Sequence, residues 1–214
     1  MLKIYGFDVS TWSNRVRFTA NALGLDYEYN RVNLLAGDGQ TREYLAIHPA
    51  GKVPAIDDDG FMLFESGAIT RYLADKAGSS VYPSDLRTRA RVEQWTEFAA
   101  QHIAKSMERV FFNRVLYKVM KVEKDENSLR EGLKYLDRFL PLVNNQLGTY
   151  RHFAMDDLTL ADFVLLAWLD PAEVCEIDLS GYPNITKWRK RLMQQDFYTR
   201  CYSSYQAMLQ SMAA

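Results

Sequence analysis

The chain is poor in the residues that build disulfide frameworks and metal centres. Among 214 residues there are two cysteines and three histidines. Cys175 and Cys201 both lie in the C-terminal half and form no cluster with His48, His102 or His152. That spacing suggests neither a disulfide scaffold nor zinc, so no metal is expected, and a reducing cytoplasm is the expected compartment. An excess of one charge is missing as well: 26 Lys and Arg stand against 27 Asp and Glu. Without a basic balance there is no global attraction to nucleic acid or to an anionic membrane, and neither is an expected partner. No apolar run is long enough to span a bilayer. Met1-Leu2-Lys3-Ile4-Tyr5 enters a strand directly, without the pattern of a signal peptide. Internal repeats and low-complexity segments are absent too.

What remains is the composition of a soluble globular protein, 48% hydrophobic and 25% charged, long enough for one large domain or two modest ones. Leu2 to Gly6 alternates as a strand does. Asp8 to Asn14 reads as a polar loop, and an apolar-periodic helix follows from Arg15 through Val16, Phe18, Ala20 and Leu23 until Gly24 stops it. Tyr27 to Leu34 alternates again. Strand, helix and strand make a βαβ unit, normally parallel with a right-handed crossover. A polar Ala36 to Gln40 loop and a short helical turn from Thr41 to Ile47 come next.

The stretch from Gly51 to Tyr72 carries the densest signals. Val53-Pro54-Ala55-Ile56 is a short apolar run, and Pro54 has no amide proton, so it fits only a strand start or edge. Asp59-Gly60 supplies hairpin turn chemistry before Phe61-Met62-Leu63. Glu65 and Ser66 open a further apolar-periodic segment, where helix-capping residues belong. Amides at such a helix start favour a ligand carboxylate. If Pro54 is cis, the backbone of Val53 faces outward, open to a peptide-like ligand. The resulting order, βαββα after the first strand and helix, is that of a thioredoxin-like domain, expected over residues 1–78.

Residues 79–86 are small and polar with one proline, a linker, and residues 87–214 read as all-helical. Leu86 to Val119 carries a long apolar stripe, and Glu126 to Leu147 another, which Pro141 should kink or end early. In Asp157-Leu158-Thr159-Leu160-Ala161-Asp162, Thr159 would cap a helix and Asp162 reach back to it, with Leu158 as the staple. Ile185 to Leu192 and Phe197 to Met212 read as closing helices.

Lys52-Val53-Pro54-Ala55-Ile56 followed by Glu65-Ser66-Gly67-Ala68-Ile69 resembles the glutathione-binding signature of the cytosolic glutathione transferases. The likeness covers nearly the whole chain, and the Thr159–Asp162 pair resembles the helix-capping motif of the family's C-terminal domain. It implies a thioredoxin-like domain followed by an all-helical one, glutathione as cosubstrate, and a homodimer. Ser10-Thr11-Trp12-Ser13-Asn14-Arg15-Val16 resembles the serine-type members, theta-, phi- or bacterial-like, and places the active hydroxyl on Ser10. A hydroxyl donating to the glutathione sulfur stabilises the thiolate without itself becoming a nucleophile. Amides at the helix start add to that preference. Ser13 is the expected cap of the helix. Tyr5 is the competing donor, since other classes use a tyrosine at the end of the first strand, and it can equally be core.

The resemblance further assigns Glu65 and Ser66 to the amino and carboxylate groups of the γ-glutamyl end, Val53 to the tripeptide backbone and Lys52 to the glycyl carboxylate. Gln40 stands roughly where plant-type relatives carry a basic residue. An ordinary helix cap remains the other reading of Glu65 and Ser66, and a solvated lysine that of Lys52. His48 stands where the family usually has asparagine, a departure that reads as structural. The second substrate would be a small hydrophobic electrophile, with Phe7, Trp12, Met107 and Phe111 as candidate linings, each also readable as plain core. Other expectations on the same scaffold are a glutathione-dependent isomerase or peroxidase, and a non-catalytic carrier or interaction protein.

Overall fold

The computed structural model describes residues 1–201 and 205. They divide into two units, one built on Met1–Ser79 with a later segment opening at Asp196, the other on Ser80–Gln195. In the first, β1 (Leu2–Gly6), α1 (Thr11–Ala22) and β2 (Tyr27–Arg31) are followed by two 3-10 turns, Leu34–Ala36 and Asp38–Gln40. Then come α2 (Arg42–Leu45), β3 (Ala55–Asp58), β4 (Phe61–Phe64) and α3 (Ser66–Lys76). The sheet order is β2-β1-β3-β4, with β1 parallel to β2 and the other neighbours antiparallel. This is the expected thioredoxin-like arrangement.

Alternation decides the two faces of this sheet. Leu2 and Ile4 of β1 and Ile56 of β3 point to one face, where they bury Val16 and Ala20 of α1 and Ile69 and Leu73 of α3. Tyr5, one residue out of phase, falls on the other face, against Tyr44 of α2. A short helix, α10 (Asp196–Thr199), closes on α1 through the Asn21 amide, which donates to the Phe197 carbonyl at 3.0 Å, and through Phe18 against Tyr198. The expected closing helix beyond it, 202–204 and 206–212, lies outside the described residues.

The second unit is helical. Residues 86–120 run as α4 (Leu86–Phe98), α5 (Lys105–Phe111) and α6 (Tyr117–Met120), joined by π-helical stretches at Ala99–Ala104 and Phe112–Leu116. The apolar stripe anticipated this length but not the wider turns. α7 (Glu126–Thr149) continues through Pro141 to Thr149, so an early end there is corrected. Pro141 and Asp137 are both exposed, which leaves the carbonyl that loses its donor open to water, while Leu136, Leu140, Val143 and Leu147 stay buried on one side. α8 (Leu160–Leu169) is buried along its whole length. Its cap is the Thr159–Asp162 pair: Asp162 Oδ2 accepts from the Thr159 amide at 2.9 Å. The other carboxylate oxygen accepts from the Phe153 amide and the Trp188 indole, each at 2.9 Å. α9 (Pro183–Leu192) begins on its proline.

Candidate active site

Sheet register gathers the candidate residues of the first unit at one end. Tyr5 pairs with Ala55, Ala55 with Phe64, and Gly6 with Arg31. The chain therefore leaves β1, β2 and β4 and enters β3 at the same edge. Ser10, Gln40, Lys52, Val53 and Glu65 belong to those four connections, and Ser66 opens α3 beside them.

Ser10 is the N-cap of α1, with extended backbone, and its Oγ accepts from the Ser13 amide at 3.2 Å. The helix thus begins four residues earlier than its apolar periodicity indicates, and the cap is Ser10 rather than Ser13. Ser13 is fully buried in the first turn and turns its Oγ back to the Phe7 amide at 3.2 Å, tying the loop down. Capping occupies a lone pair of Ser10, not its proton. A hydroxyl in that position can hold the helix and still donate outward. Tyr5 is half-buried beside Tyr44, with ring centroids 6.1 Å apart.

Lys52 is set by a chain of local contacts. Thr41 caps α2 by accepting from the Tyr44 amide at 3.3 Å, and the Tyr44 hydroxyl donates to the Lys52 carbonyl at 2.7 Å. Burial pushes the Tyr44 phenol up, which keeps it a donor. Gly51 has φ +62°, and a Cβ there would run into the Gly39 carbonyl and the Gln40 side-chain amide. The Gln40 side chain is therefore brought against Gly51, the residue before Lys52; Gln40 and Lys52 are both exposed. The Val53–Pro54 peptide is cis. Neither backbone group of Val53 is used in a hydrogen bond among the described residues.

Glu65 precedes α3 with φ +71°, a left-handed value costly for a residue with a side chain, and its carboxylate is exposed. No side chain caps the first turn of α3. Ser66, only 8% exposed, accepts at Oγ from Arg15 Nη1 at 3.4 Å. Arg15 is 3% exposed and lies also against Gly67. A buried guanidinium behind a helix N-terminus strengthens the field that favours an anion there. Sequence reading missed this residue. Its only signal is Thr19 four positions on, which shares its helix face, and α3 as the occupant of that face is a tertiary fact.

His48 is buried against Phe64, ring centroids 4.8 Å apart, and its Nδ1 accepts from the Ala50 amide at 3.3 Å. Burial pulls its pKa down and Lys52 adds to that, while Glu65 pulls the other way. It is a neutral strut between the two charges. Of the candidate linings for a second substrate, Phe7 is buried and Trp12 half-buried in the first unit, and Met107 and Phe111 are buried in α5 of the second. Among the described residues no group of His, Cys, Asp and Glu is placed to hold a metal ion. Both cysteines are buried and no disulfide joins them, and burial lifts the Cys175 thiol to about 12.

Comparison with known proteins bears on this geometry. Residues 1–75 match the model of the glutathione S-transferase N-terminal domain and residues 98–196 that of the C-terminal domain. Glutathione S-transferase D7 of Drosophila melanogaster is 30% identical over 192 residues, spanning 88% of this chain and 83% of its own. Glutathione transferase F2 from Populus trichocarpa superposes with a TM-score of 0.88 at 25% identity, over 99% of this chain and all of that one. A structure of glutathione S-transferase-I bound with the ligand lactoylglutathione superposes with a TM-score of 0.83 at 26% identity, over 94% of this chain and 97% of that one. The sheet end with its capping serine, its proline-led strand and its acidic helix entry thus sits in a chain that belongs to the glutathione S-transferase family.

Proposed function

We propose that this protein is a serine-type glutathione transferase that holds glutathione across the sheet end of the first unit and transfers its sulfur to a small hydrophobic electrophile. The observation that carries the assignment of roles is Ser10 at the N-terminus of α1, its lone pair spent on the Ser13 amide and its proton free to donate.

In this reading the γ-glutamyl carboxylate meets the Ser66 hydroxyl and the uncapped amides of α3, with Arg15 behind them. The exposed carboxylate of Glu65 meets the ammonium. The free amide and carbonyl of Val53 pair with the tripeptide backbone, and Lys52, with Gln40 against the preceding Gly51, meets the glycyl carboxylate. Those contacts fix the sulfur near Ser10. The thiol loses its proton to solvent, and the thiolate is stabilised by the Ser10 hydroxyl and the amide end of α1. The thiolate then attacks an electrophilic carbon: a C–S bond forms and the leaving group departs with the electron pair. Proximity and thiolate stabilisation supply the rate, with no covalent enzyme intermediate. Phe7 and Trp12, flanking the Ser10 loop in the first unit, are the proposed apolar contacts of the electrophile. Peroxide reduction and isomerisation draw on the same thiolate.

The homodimer and the cytoplasmic setting belong to the same proposal. Phe61, Met62 and Phe64 on edge strand β4 are 50%, 43% and 39% exposed, an apolar edge suited to a partner subunit. Buried cysteines that form no disulfide suit a reducing compartment.

The test is turnover of a panel of aryl halides, enones and hydroperoxides by the wild type, Ser10→Ala and Tyr5→Phe. A large loss of kcat in Ser10→Ala with little change in Tyr5→Phe is expected. The reverse pattern would move the donor role to Tyr5, and failure to bind immobilised glutathione at all would leave a carrier or interaction protein of this fold.

A further inference from the structure

The helical unit has a polar hollow, of about 310 Å³, between the last turn of α7 and one face of α9. Its walls include Arg151, Lys187 and Arg191, together with Tyr150 and Asn184, and not one carboxylate. None of these residues belongs to the glutathione site.

The walls are held in place by their own hydrogen bonds. Asn144 Oδ1 accepts from the Asn184 and Ile185 amides at 3.0 and 3.4 Å, and Asn184 Nδ2 donates to the Asn144 carbonyl at 3.0 Å. The start of α9 is thus already capped. Gly148 lets α7 approach: a Cβ there would come 2.7 Å from Asn184 Nδ2. Trp188 is buried with its indole N–H committed to Asp162. Lys187 and Arg191 are one turn apart on α9 and share the face that meets this floor.

Charge is unbalanced here. Arg191 Nη2 donates to the backbone carbonyl of Arg151, which draws the two arginines together. Arg191 Nε has no hydrogen-bond partner among the described residues. Burial and the neighbouring Arg151 both disfavour the charged form of Arg191, with only Asp162 acting the other way. That carboxylate is already spent on the Thr159 and Phe153 amides and the indole. Asp156 accepts from the Arg151 amide at 2.9 Å and is no part of the lining. The carbonyl end of α7 offers a partial negative charge, whereas three cations around one hollow call for a full anion.

We propose that this hollow is a binding site for a small phosphate-bearing anion with at least two phosphate groups. Bidentate guanidinium groups suit phosphate oxygens, and Lys187 adds a point charge. The exposed Tyr150 ring leaves room for an organic substituent, so a free polyphosphate and a nucleoside polyphosphate share the chemistry.

The experiment is calorimetric titration of the full chain with pyrophosphate, inorganic phosphate, ADP and citrate at constant ionic strength. Arg191→Gln, Lys187→Gln and Arg151→Gln are compared with the wild type. Saturable binding of pyrophosphate at one site per chain is expected, tighter than phosphate or citrate, unaffected by glutathione and weakened at least tenfold by Lys187→Gln and Arg191→Gln. ADP binding more tightly than pyrophosphate would identify the nucleotide as the natural source, and equal binding the free polyphosphate. Thermal midpoints and transferase activity of Lys187→Gln should match the wild type, which separates this site from folding and from catalysis. Heats that do not saturate, binding that glutathione displaces, or unchanged affinity in the Lys187→Gln and Arg191→Gln variants would overturn the proposal.

Discussion

Arg15 Nη1 stands 3.4 Å from Ser66 Oγ, joining the start of α1 to the start of α3 across 51 positions of chain. Because the guanidinium can only donate, Ser66 accepts from it and keeps its own proton for a ligand. Arg15→Ala should therefore raise the KM for glutathione about tenfold or more, from the loss of a charge-assisted hydrogen bond of ~1.5–3 kcal/mol. Arg15→Lys should recover part of it. Steady-state kinetics with glutathione varied, alongside the thermal midpoint, separates this from simple unfolding: kcat at saturation should change much less than KM.

Removing the Ser10 hydroxyl should cost kcat by about 10²-fold, the usual scale for one donor to a developing or bound anion. The sign of the pH effect follows from which form the donor favours. Ser10 stabilises the thiolate, so the bound thiol titrates lower with it than without it. In Ser10→Ala the acid limb of the kcat/KM profile should move to higher pH. A profile lowered in height but not displaced would put the loss on positioning instead.

His48 makes stability depend on pH. Its folded-state pKa is lowered, first by burial and also by Lys52. The unfolded chain therefore takes up the proton first. The contribution is complete above the ordinary histidine pKa of about 6.5 and is lost as pH falls through the folded value. Thermal midpoints measured from pH 8 downward should decline below about 6.5, the ordinary histidine value, and His48→Asn should flatten that decline. Asparagine can still accept from the Ala50 amide but cannot charge.

Asp162 holds the helical unit from inside. It accepts from the Phe153 and Thr159 amides and the Trp188 indole. Asp162→Ala strands all three donors, each costing ~1–3 kcal/mol when buried and unmet. The expected result is a chain that is insoluble or loses its near-ultraviolet circular dichroism. A soluble variant with an unchanged midpoint would contradict this account.

Gly51→Ala should damage the glutathione site without touching a ligand contact. The new Cβ meets the Gly39 carbonyl at a positive φ, so the Gln40 and Lys52 segments must separate. Affinity for immobilised glutathione should fall while the Ser10 environment, read by the pH profile of the residual activity, stays as in the wild type.

Much of this was legible in order along the chain. Alternation at Leu2–Gly6 and from Tyr27, turn chemistry at Asp59-Gly60 and the Thr159–Asp162 cap are local patterns, and local patterns are what a sequence displays; the second strand, read to Leu34, ends at Arg31, with a 3-10 turn starting at Leu34. The start of α1 was misplaced for a physical reason. Its first turn is polar because Ser13 and Asn14 are buried against the loop before the helix, Ser13 accepting from the Phe7 amide and Asn14 donating to the Asp8 carbonyl, so periodicity begins only at Arg15 while the backbone is already helical at Thr11. Pro141 misled in the opposite sense, since an exposed proline in a long amphipathic helix loses a hydrogen bond that water can replace.

The order of side chains determined by itself that there would be a βαβ start, a proline-led hairpin, an acidic helix entry and a long helical remainder, because each follows from spacing within a few residues. Only the folded chain decided that Ser10 caps while Ser13 ties down the loop, that Tyr5 faces α2, and that a buried arginine on α1 stands behind the serine of α3. Those outcomes depend on which sheet face each helix covers and on which loops share a sheet end. Contacts between residues some fifty positions apart leave no periodicity to read.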